Sequence, residues 1–234
     1  MKHLLDKIKM ELTVGTIVRL LFLVSAVYSI ITKNTLYFLI ASASFLLTYM
    51  PELFSQITHI SLPSSFKLIV VLFIFAANYL GELHSYNKIW WWDIFLHTSS
   101  GIFTAFAGFL IVYIKENEQP QSSGLNFLLI ALFALSFAVL SGTLWEIYEF
   151  LMDKLFGLNM QRGSLTDTMT DLIADTSGGL LTSVNSYVYM KYCTKDLFKK
   201  MTDDFLKLNR NFYDKLTNSN YKSEAGSKYY QTLN

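Results

Sequence analysis

Apolar residues in this chain come in long blocks, whereas soluble domains scatter them in alternating or amphipathic patterns. A helix needs about 20 consecutive apolar residues to cross the hydrocarbon core of a bilayer, which is roughly 30 Å thick. Six blocks approach that length, and none shows the alternation typical of strands. The predicted spans cover residues 14–31, 35–50, 66–83, 94–114, 125–145 and 172–190.

The block pattern predicts an all-α fold, a polytopic membrane bundle of about six transmembrane helices over residues 1–191. Residues 192–234 are predicted to form a cytoplasmic tail, whose end from Thr217 onward is polar and expected to be disordered. Five apolar residues of the tail recur at steps of three and four, as in an amphipathic helix: Phe198, Met201, Phe205, Leu208 and Phe212. Such a helix is predicted to rest on the inner leaflet, to bind a partner protein, or to be a solvated helix that packs on the cytosolic loops.

Composition agrees with a membrane protein, because 52% of the residues are hydrophobic and only 16% are charged. Soluble domains usually carry about 25% charged residues. The formal net charge is +1, so nothing favours a nucleic-acid partner, and membrane lipids are the expected surroundings. The single cysteine, Cys193, excludes an internal disulfide and a CxxC metal or redox motif.

Basic residues near the ends of spans favour the cytoplasmic side of a membrane. Lysines are frequent before the first span and in the tail, whereas the predicted loops after the first and third spans hold only Lys33 and Lys88. Six spans place both termini on the same side. The sequence therefore predicts a multi-pass protein of the cell membrane with both termini in the cytoplasm.

This orientation puts several ionisable residues at one outer membrane surface. Asp93 and His97 are four residues apart and therefore share a helical face at the start of the fourth span. The three tryptophans before them are predicted to be anchors at the membrane interface. Helical spacing likewise places one acidic face at the end of the fifth span and another at the start of the sixth, with these main members: Glu146, Glu149, Asp171 and Asp175.

Acidic side chains that meet in one place repel each other unless they are protonated, paired or bridged by a cation. Three compensating partners are open: the Arg162 guanidinium, a divalent metal held by carboxylates and imidazole, or a cationic group of a substrate. The candidate catalytic residues are Asp93, His97, Glu146, Glu149, Asp171 and Asp175. All of them except Glu149 are also candidate metal ligands.

Three functions follow from these residues. The first is a metal-dependent enzyme or binding protein at the outer face, acting on a lipid or cell-envelope precursor, with a spare carboxylate as general base. The second is a proton-coupled transporter in which Glu146 and Asp175 titrate. The third is a non-catalytic scaffold in which the acids cap helices and the tail helix does the work. The residues alone leave open whether the protein is an enzyme.

Small residues recur where the last three spans would meet. Gly101, Ala105 and Gly108 lie on one face of the fourth span, Gly142 lies in the fifth, and the pair 178–179 lies in the sixth. Small residues at such spacing let helix backbones approach closely. These three spans are therefore predicted to pack as a tight unit with the acidic faces turned inward.

Four segments between residues 78 and 190 resemble a known family in their order and spacing: "WWDIFLHTSSG", "LWEIYEFLMD", "GLNMQR" and "DTMTDLIADTSGG". The chain resembles the VanZ-like membrane proteins, and more closely the YjdF-type inner-membrane proteins of unknown function. The resemblance implies a bacterial multi-pass protein and brings no reaction with it. By motif position, the family's polar residues correspond to Asp93, His97, Glu146, Glu149, Asp171 and Asp175.

Overall fold

The computed structural model describes residues 2–118, 127–192 and 197–209. Among these residues all regular elements are helical and no strand occurs, so the all-α prediction is confirmed. The end of the tail from Thr217, for which the sequence predicts disorder, lies outside the described residues. The α-helices are α1 (Lys2–Ile31), α2 (Thr35–Leu47), α3 (Met50–Thr58), α4 (Ser64–Ile74), α5 (Trp92–Glu118), α6 (Phe127–Phe156), α7 (Leu165–Tyr192) and α8 (Leu197–Leu208).

Four described helical segments are long and apolar enough to cross a membrane: Lys9–Ile31, Ser64–Leu83, Trp92–Tyr113 and Phe127–Phe156. The α2–α3 pair, bent by 41°, makes a fifth if it forms one broken span. Length and composition therefore support a polytopic helical membrane protein with four or five apolar spans, fewer than the six predicted. The sixth predicted block forms α7, which falls outside this group because its polar and acidic residues lower its hydropathy.

The chain divides into two compact units, Met1–Ser99 and Ser100–Asn234, and the boundary falls inside α5. The predicted division between a bundle and a tail at residues 191–192 is not tested by this result and stays a prediction. In the first unit, Val18 and Phe22 of α1 are buried together with Val71 of α4. The chain continues from α4 as a π-helix, Phe75–Leu83, whose Tyr79 ring packs edge-on against Phe22.

The second unit is held together by close backbone approach at small residues. A Cβ added to Gly108 would lie 2.7 Å from the Phe137 Cβ, and one added to Gly179 would lie 2.7 Å from the Ala138 Cβ. Side chains larger than hydrogen would not fit there without a shift of the neighbouring helix. The predicted tight packing of α5, α6 and α7 through small residues is therefore confirmed at these contacts.

Hydroxyl groups add polar contacts between the same helices. Ser183 of α7 donates to the Ala131 carbonyl of α6 over 2.5 Å, and Thr182 donates to the Ile102 carbonyl of α5 over 3.3 Å. Hydrogen bonds of this kind between membrane helices each contribute about 0.6–2 kcal/mol. These hydrogen bonds fix the axial register of α7 relative to α5 and α6.

The described part of the tail, α8, packs on the same unit. The Phe198 ring lies 5.0 Å from both Phe106 and Phe109 of α5 and 5.5 Å from Tyr189 of α7, measured between ring centroids. Phe205, one of the five periodic apolar residues, is buried. Phe198 on the apolar face of α8 therefore contacts α5 and α7. The three surroundings predicted for this face, the inner leaflet, a partner protein and the cytosolic loops, stay predictions.

Candidate functional site

The first unit contains the Asp93–His97 pair at the start of α5. Asp93 lies in the first turn, where the helix dipole favours a negative charge. His97 follows one turn later, and its Nε2 lies 3.9 Å from Asp93 Oδ1. This is longer than a hydrogen bond but close enough for electrostatic attraction once the imidazole is protonated. His97 is only 8% exposed, so its ring is almost completely enclosed by the protein.

The tryptophans beside this pair fall into two groups. Trp90 and Trp91 are exposed, as expected for anchors at a membrane interface. Trp92 is instead buried, and its ring packs against Tyr86 and Phe95. Gly81 leaves room for the Trp92 ring, because a Cβ added at Gly81 would lie 3.5 Å from the indole nitrogen. The anchor prediction therefore fits the exposure of two tryptophans and not that of the third.

In the second unit, four carboxylates are buried on α6 and α7. Charged side chains are rarely buried to this extent unless they are paired or hydrogen-bonded. Their exposed fractions are 5% for Glu146, 9% for Glu149, 3% for Asp171 and 1% for Asp175. All four are candidate site residues from the sequence, and they are more buried than other described acids such as Asp93 and Asp153, which are half-buried.

The antiparallel register of α6 and α7 shows which of these acids face each other. Gly179 is in contact with Ala138, and a Cβ added to Gly142 would lie 2.6 Å from Asp175 Oδ2. Each step of four residues forward along α6 therefore matches four residues back along α7. One further step of this kind places Glu146 opposite Asp171. Two buried carboxylates thus occupy facing levels of neighbouring helices.

Asp175 is enclosed at the level next to this pair. Its carboxylate lies against Gly142 of α6, and its backbone carbonyl lies against Gly101 of α5 in a contact too close for any added Cβ. The absence of side chains at these two glycines creates the space that the aspartate fills. Glycine at both positions is therefore required by the shape of the site and not by unusual backbone angles.

Polar side chains near the end of α6 contact two of these carboxylates. Gln161 Nε2 donates to Glu146 over 3.3 Å, both to the carboxylate Oε2 and to the backbone carbonyl. Trp145 Nε1 donates to Glu149 Oε1 over 2.9 Å. Burying a polar group without a hydrogen-bond partner is costly. The amide of Gln161 and the indole N–H of Trp145 therefore offset part of the cost of burying these two acids.

The connection between α6 and α7 contains the other ionisable groups of this region. Arg162 Nη1 lies 3.1 Å from Asp167 Oδ1, so this guanidinium pairs with an acid in the first turn of α7. Ser164, just before α7, provides a side-chain oxygen 3.4 Å from the backbone nitrogen of Asp167. The backbone N–H of Asp167 therefore receives a capping contact from Ser164, and its carboxylate pairs with Arg162.

The structure thus brings Asp93 close to His97 in the first unit, and it places Glu146, Asp171 and Asp175 on facing sides of α6 and α7 in the second. Glu149 lies on the same α6 face as Glu146, with its carboxylate bonded to Trp145. Sequence reasoning missed Gln161, whose amide reaches Glu146 from 15 residues away. The signal was present in the motif "GLNMQR", to which no role was assigned.

Comparison with known proteins identifies a family. A family model described as "Predicted membrane protein (DUF2238)" matches residues 14–192, well over half of the chain. An uncharacterised protein of Thermotoga maritima is 34% identical over 132 residues, which cover 56% of this chain and 66% of that relative, just under two thirds of its length. Neither description uses a VanZ-like or YjdF-like name. No solved structure matches the chain.

Proposed function

Since the chain belongs to the membrane-protein family DUF2238, we propose that it is a multi-pass membrane protein with a divalent-cation site formed by the buried carboxylates of α6 and α7. The observation that carries this proposal is the facing position of Glu146 and Asp171, both almost completely buried. Two such carboxylates repel each other in surroundings of low dielectric constant, and a cation between them removes that repulsion. Asp175 lies one turn further along α7, and the sequence names it as a further candidate ligand.

The donor set indicates the class of cation. Carboxylate oxygens suit Mg²⁺, Ca²⁺ and Mn²⁺, whereas soft metals prefer sulfur ligands. Asp93 and His97 are the other candidate metal ligands from the sequence, and a site with an imidazole ligand would favour Mn²⁺ or Zn²⁺. The His97→Ala variant tests that assignment separately from the carboxylates.

The proposed substrate is a lipid or cell-envelope precursor. Support comes from the membrane location of the family and from the polar residues that the sequence places at the outer ends of the spans. A bound divalent cation would polarise a phosphoryl or carbonyl oxygen of such a molecule. A remaining carboxylate would then accept a proton from water.

Metal content of the purified protein tests the cation site. The protein is stripped with a chelator in detergent, equilibrated with Mn²⁺, desalted and analysed for metal by mass spectrometry. We expect the wild-type protein to retain Mn²⁺. The affinity of the Glu146→Gln and Asp171→Asn proteins for Mn²⁺ should fall by more than about tenfold, because removal of a group that only hydrogen-bonds a metal ligand already costs about 10–100-fold.

Asp203→Asn is the matched control. Asp203 lies on α8 and pairs with Lys199 over 3.1 Å, far along the chain from the proposed ligands. It undergoes the same chemical change as Asp171→Asn and should leave Mn²⁺ retention unaltered. Equal metal content in wild type, Glu146→Gln and Asp171→Asn would refute the proposed site.

A further inference from the structure

The connection between α6 and α7 folds back onto the end of α6. Three of its residues have positive φ angles: Gly157 at 65°, Arg162 at 48° and Gly163 at 63°. Left-handed backbone of this kind is common for glycine and unusual for arginine. The sharp reversals at both ends of the connection turn its middle residues toward the helix that they have just left.

One carboxylate anchors this folded connection. Asp153 Oδ1 accepts a hydrogen bond from the backbone N–H of Met160 over 2.7 Å, and Asp153 Oδ2 accepts one from that of Gln161 over 3.1 Å. Hydrogen bonds to an ionised acceptor are about twice as strong as neutral ones. Asp153 therefore has a defined structural role in holding the backbone of residue 161.

The anchored backbone directs the Gln161 side chain at the candidate site. Its amide nitrogen lies 3.3 Å from Glu146 Oε2 and 3.3 Å from the Glu146 carbonyl oxygen. Two acceptors on one residue fix the amide and, through it, the orientation of the Glu146 carboxylate. Glu146 is the acid that faces Asp171 in the helix register.

We propose that Gln161 is a positioning residue for Glu146 as a cation ligand and that Asp153 holds Gln161 in place. This role rests on the proposed cation site. Groups that hydrogen-bond a metal ligand orient it and tune its basicity, and their loss typically costs 10–100-fold in metal affinity. A neutral amide suits this position because it orients the carboxylate without competing with a cation for its charge.

Titration with Mn²⁺ tests the role, with free Mn²⁺ followed by its paramagnetic resonance signal. The Gln161→Ala and Asp153→Ala proteins should each bind Mn²⁺ about tenfold more weakly than wild type. Gln161→Met keeps the length of the side chain but has no N–H to donate to Glu146, so it should weaken Mn²⁺ binding by a similar factor. A residue that only stabilised the loop would lower the temperature of thermal unfolding and leave the affinity for Mn²⁺ unchanged.

The matched control is Arg162→Ala, which removes the neighbouring side chain of the same connection and its pairing with Asp167. It should bind Mn²⁺ like wild type. If Gln161→Ala fails to fold, as judged by size-exclusion chromatography, Gln161→Asn replaces it, because its amide is one methylene too short to reach Glu146.

The two possible failures are distinguishable. Wild-type affinity in Gln161→Ala and Asp153→Ala, alongside loss of binding in Asp171→Asn, would overturn the positioning role and leave the cation site standing. Unchanged binding in Asp171→Asn would overturn the cation site and the positioning role together.

Discussion

Gly142 and Asp175 show how a single missing side chain can create a polar site. The Asp175 carboxylate occupies space that a methyl group at position 142 would fill. The sequence suggests a packing role for Gly142, since small residues are common where membrane helices touch. The structure adds that part of this packing is against an acid, which places the carboxylate between α6 and α7.

Replacing Gly142 by alanine should therefore destabilise the protein. The new Cβ would lie 2.6 Å from Asp175 Oδ2 and 2.9 Å from its Cγ, so the whole carboxyl group has to move. Overpacking of this kind typically lowers the free energy of unfolding by about 1–3 kcal/mol. Thermal unfolding in detergent measures the change, and Mn²⁺ retention shows whether the displaced carboxylate matters for the proposed site.

Gly15→Ala is the control for this experiment. An added Cβ at that position meets only the Arg19 guanidinium, at 3.9 Å, which is ordinary van der Waals contact. Alanine inside a helix is favoured over glycine by up to about 1 kcal/mol. A Gly142→Ala protein that is as stable as Gly15→Ala would contradict the close fit of Asp175.

At the scale of the helices, α2 and α3 are bent by 41° relative to each other. Pro51 near the start of α3 has no backbone N–H, so the helical hydrogen-bond ladder is interrupted there. The Arg19 side chain of α1 binds Thr48, which lies next to this interruption. Its Nη2 donates to the Thr48 carbonyl over 3.1 Å, and its Nε donates to the Thr48 hydroxyl over 3.1 Å. The Arg19 guanidinium is therefore bound to the bend through both polar groups of Thr48.

Arg19→Ala should lower the stability of the protein. Besides its bonds to Thr48, the guanidinium pairs with Glu52 over 3.0 Å and lies 4.0 Å from the centre of the Tyr49 ring. Hydrogen bonds that involve a charged group are worth about 1.5–3 kcal/mol, and the loss should be in that range. Thermal unfolding of the detergent-solubilised protein measures it.

Arg19→Lys should recover only part of this loss, because an ammonium group cannot reproduce the planar set of donors that a guanidinium offers. Lys67→Ala is a fitting comparison, since Lys67 also pairs with an acid, Glu11, at the longer distance of 3.8 Å. Its effect should stay below about 1 kcal/mol. Equal losses for Arg19→Ala and Lys67→Ala would show that the bend does not depend on Arg19.

For the molecule as a whole, the prediction that both termini are cytoplasmic stays open, and the chain carries a probe for it. Cys193 is the only cysteine in the sequence and follows α7 directly. A membrane-impermeant maleimide added to intact cells should leave it unlabelled, and labelling should occur once the membrane is permeabilised. The expected physical cause is the bias of lysine and arginine toward the cytoplasmic side.

A cysteine introduced on the predicted outer side should give the opposite labelling result. Lys88 lies in an exposed 3₁₀ turn before α5, on the predicted outer side. In a Cys193→Ser background, Lys88→Cys should react with the same reagent in intact cells. Labelling of Cys193 without permeabilisation, or protection of Lys88→Cys, would reverse the predicted orientation and place the candidate site at the cytoplasmic face.

The sequence by itself determined the helical class, the approximate extent of the apolar helices and the sets of acids that share a helical face. These properties depend on neighbours within a few residues, because an α-helix repeats every 3.6 residues and a bilayer demands a long apolar run. The spacing of residues alone therefore groups Asp93 with His97, and Glu146 with Glu149.

Only the tertiary structure decided which of these faces meet. The opposition of Glu146 and Asp171 depends on how far α7 slides along α6, which is set by contacts at Gly142 and Gly179. The reach of Gln161 to Glu146 depends in the same way on three left-handed residues and one anchoring acid in the connection. These distances join residues far apart in the chain, and they arise from packing, which no local periodicity encodes.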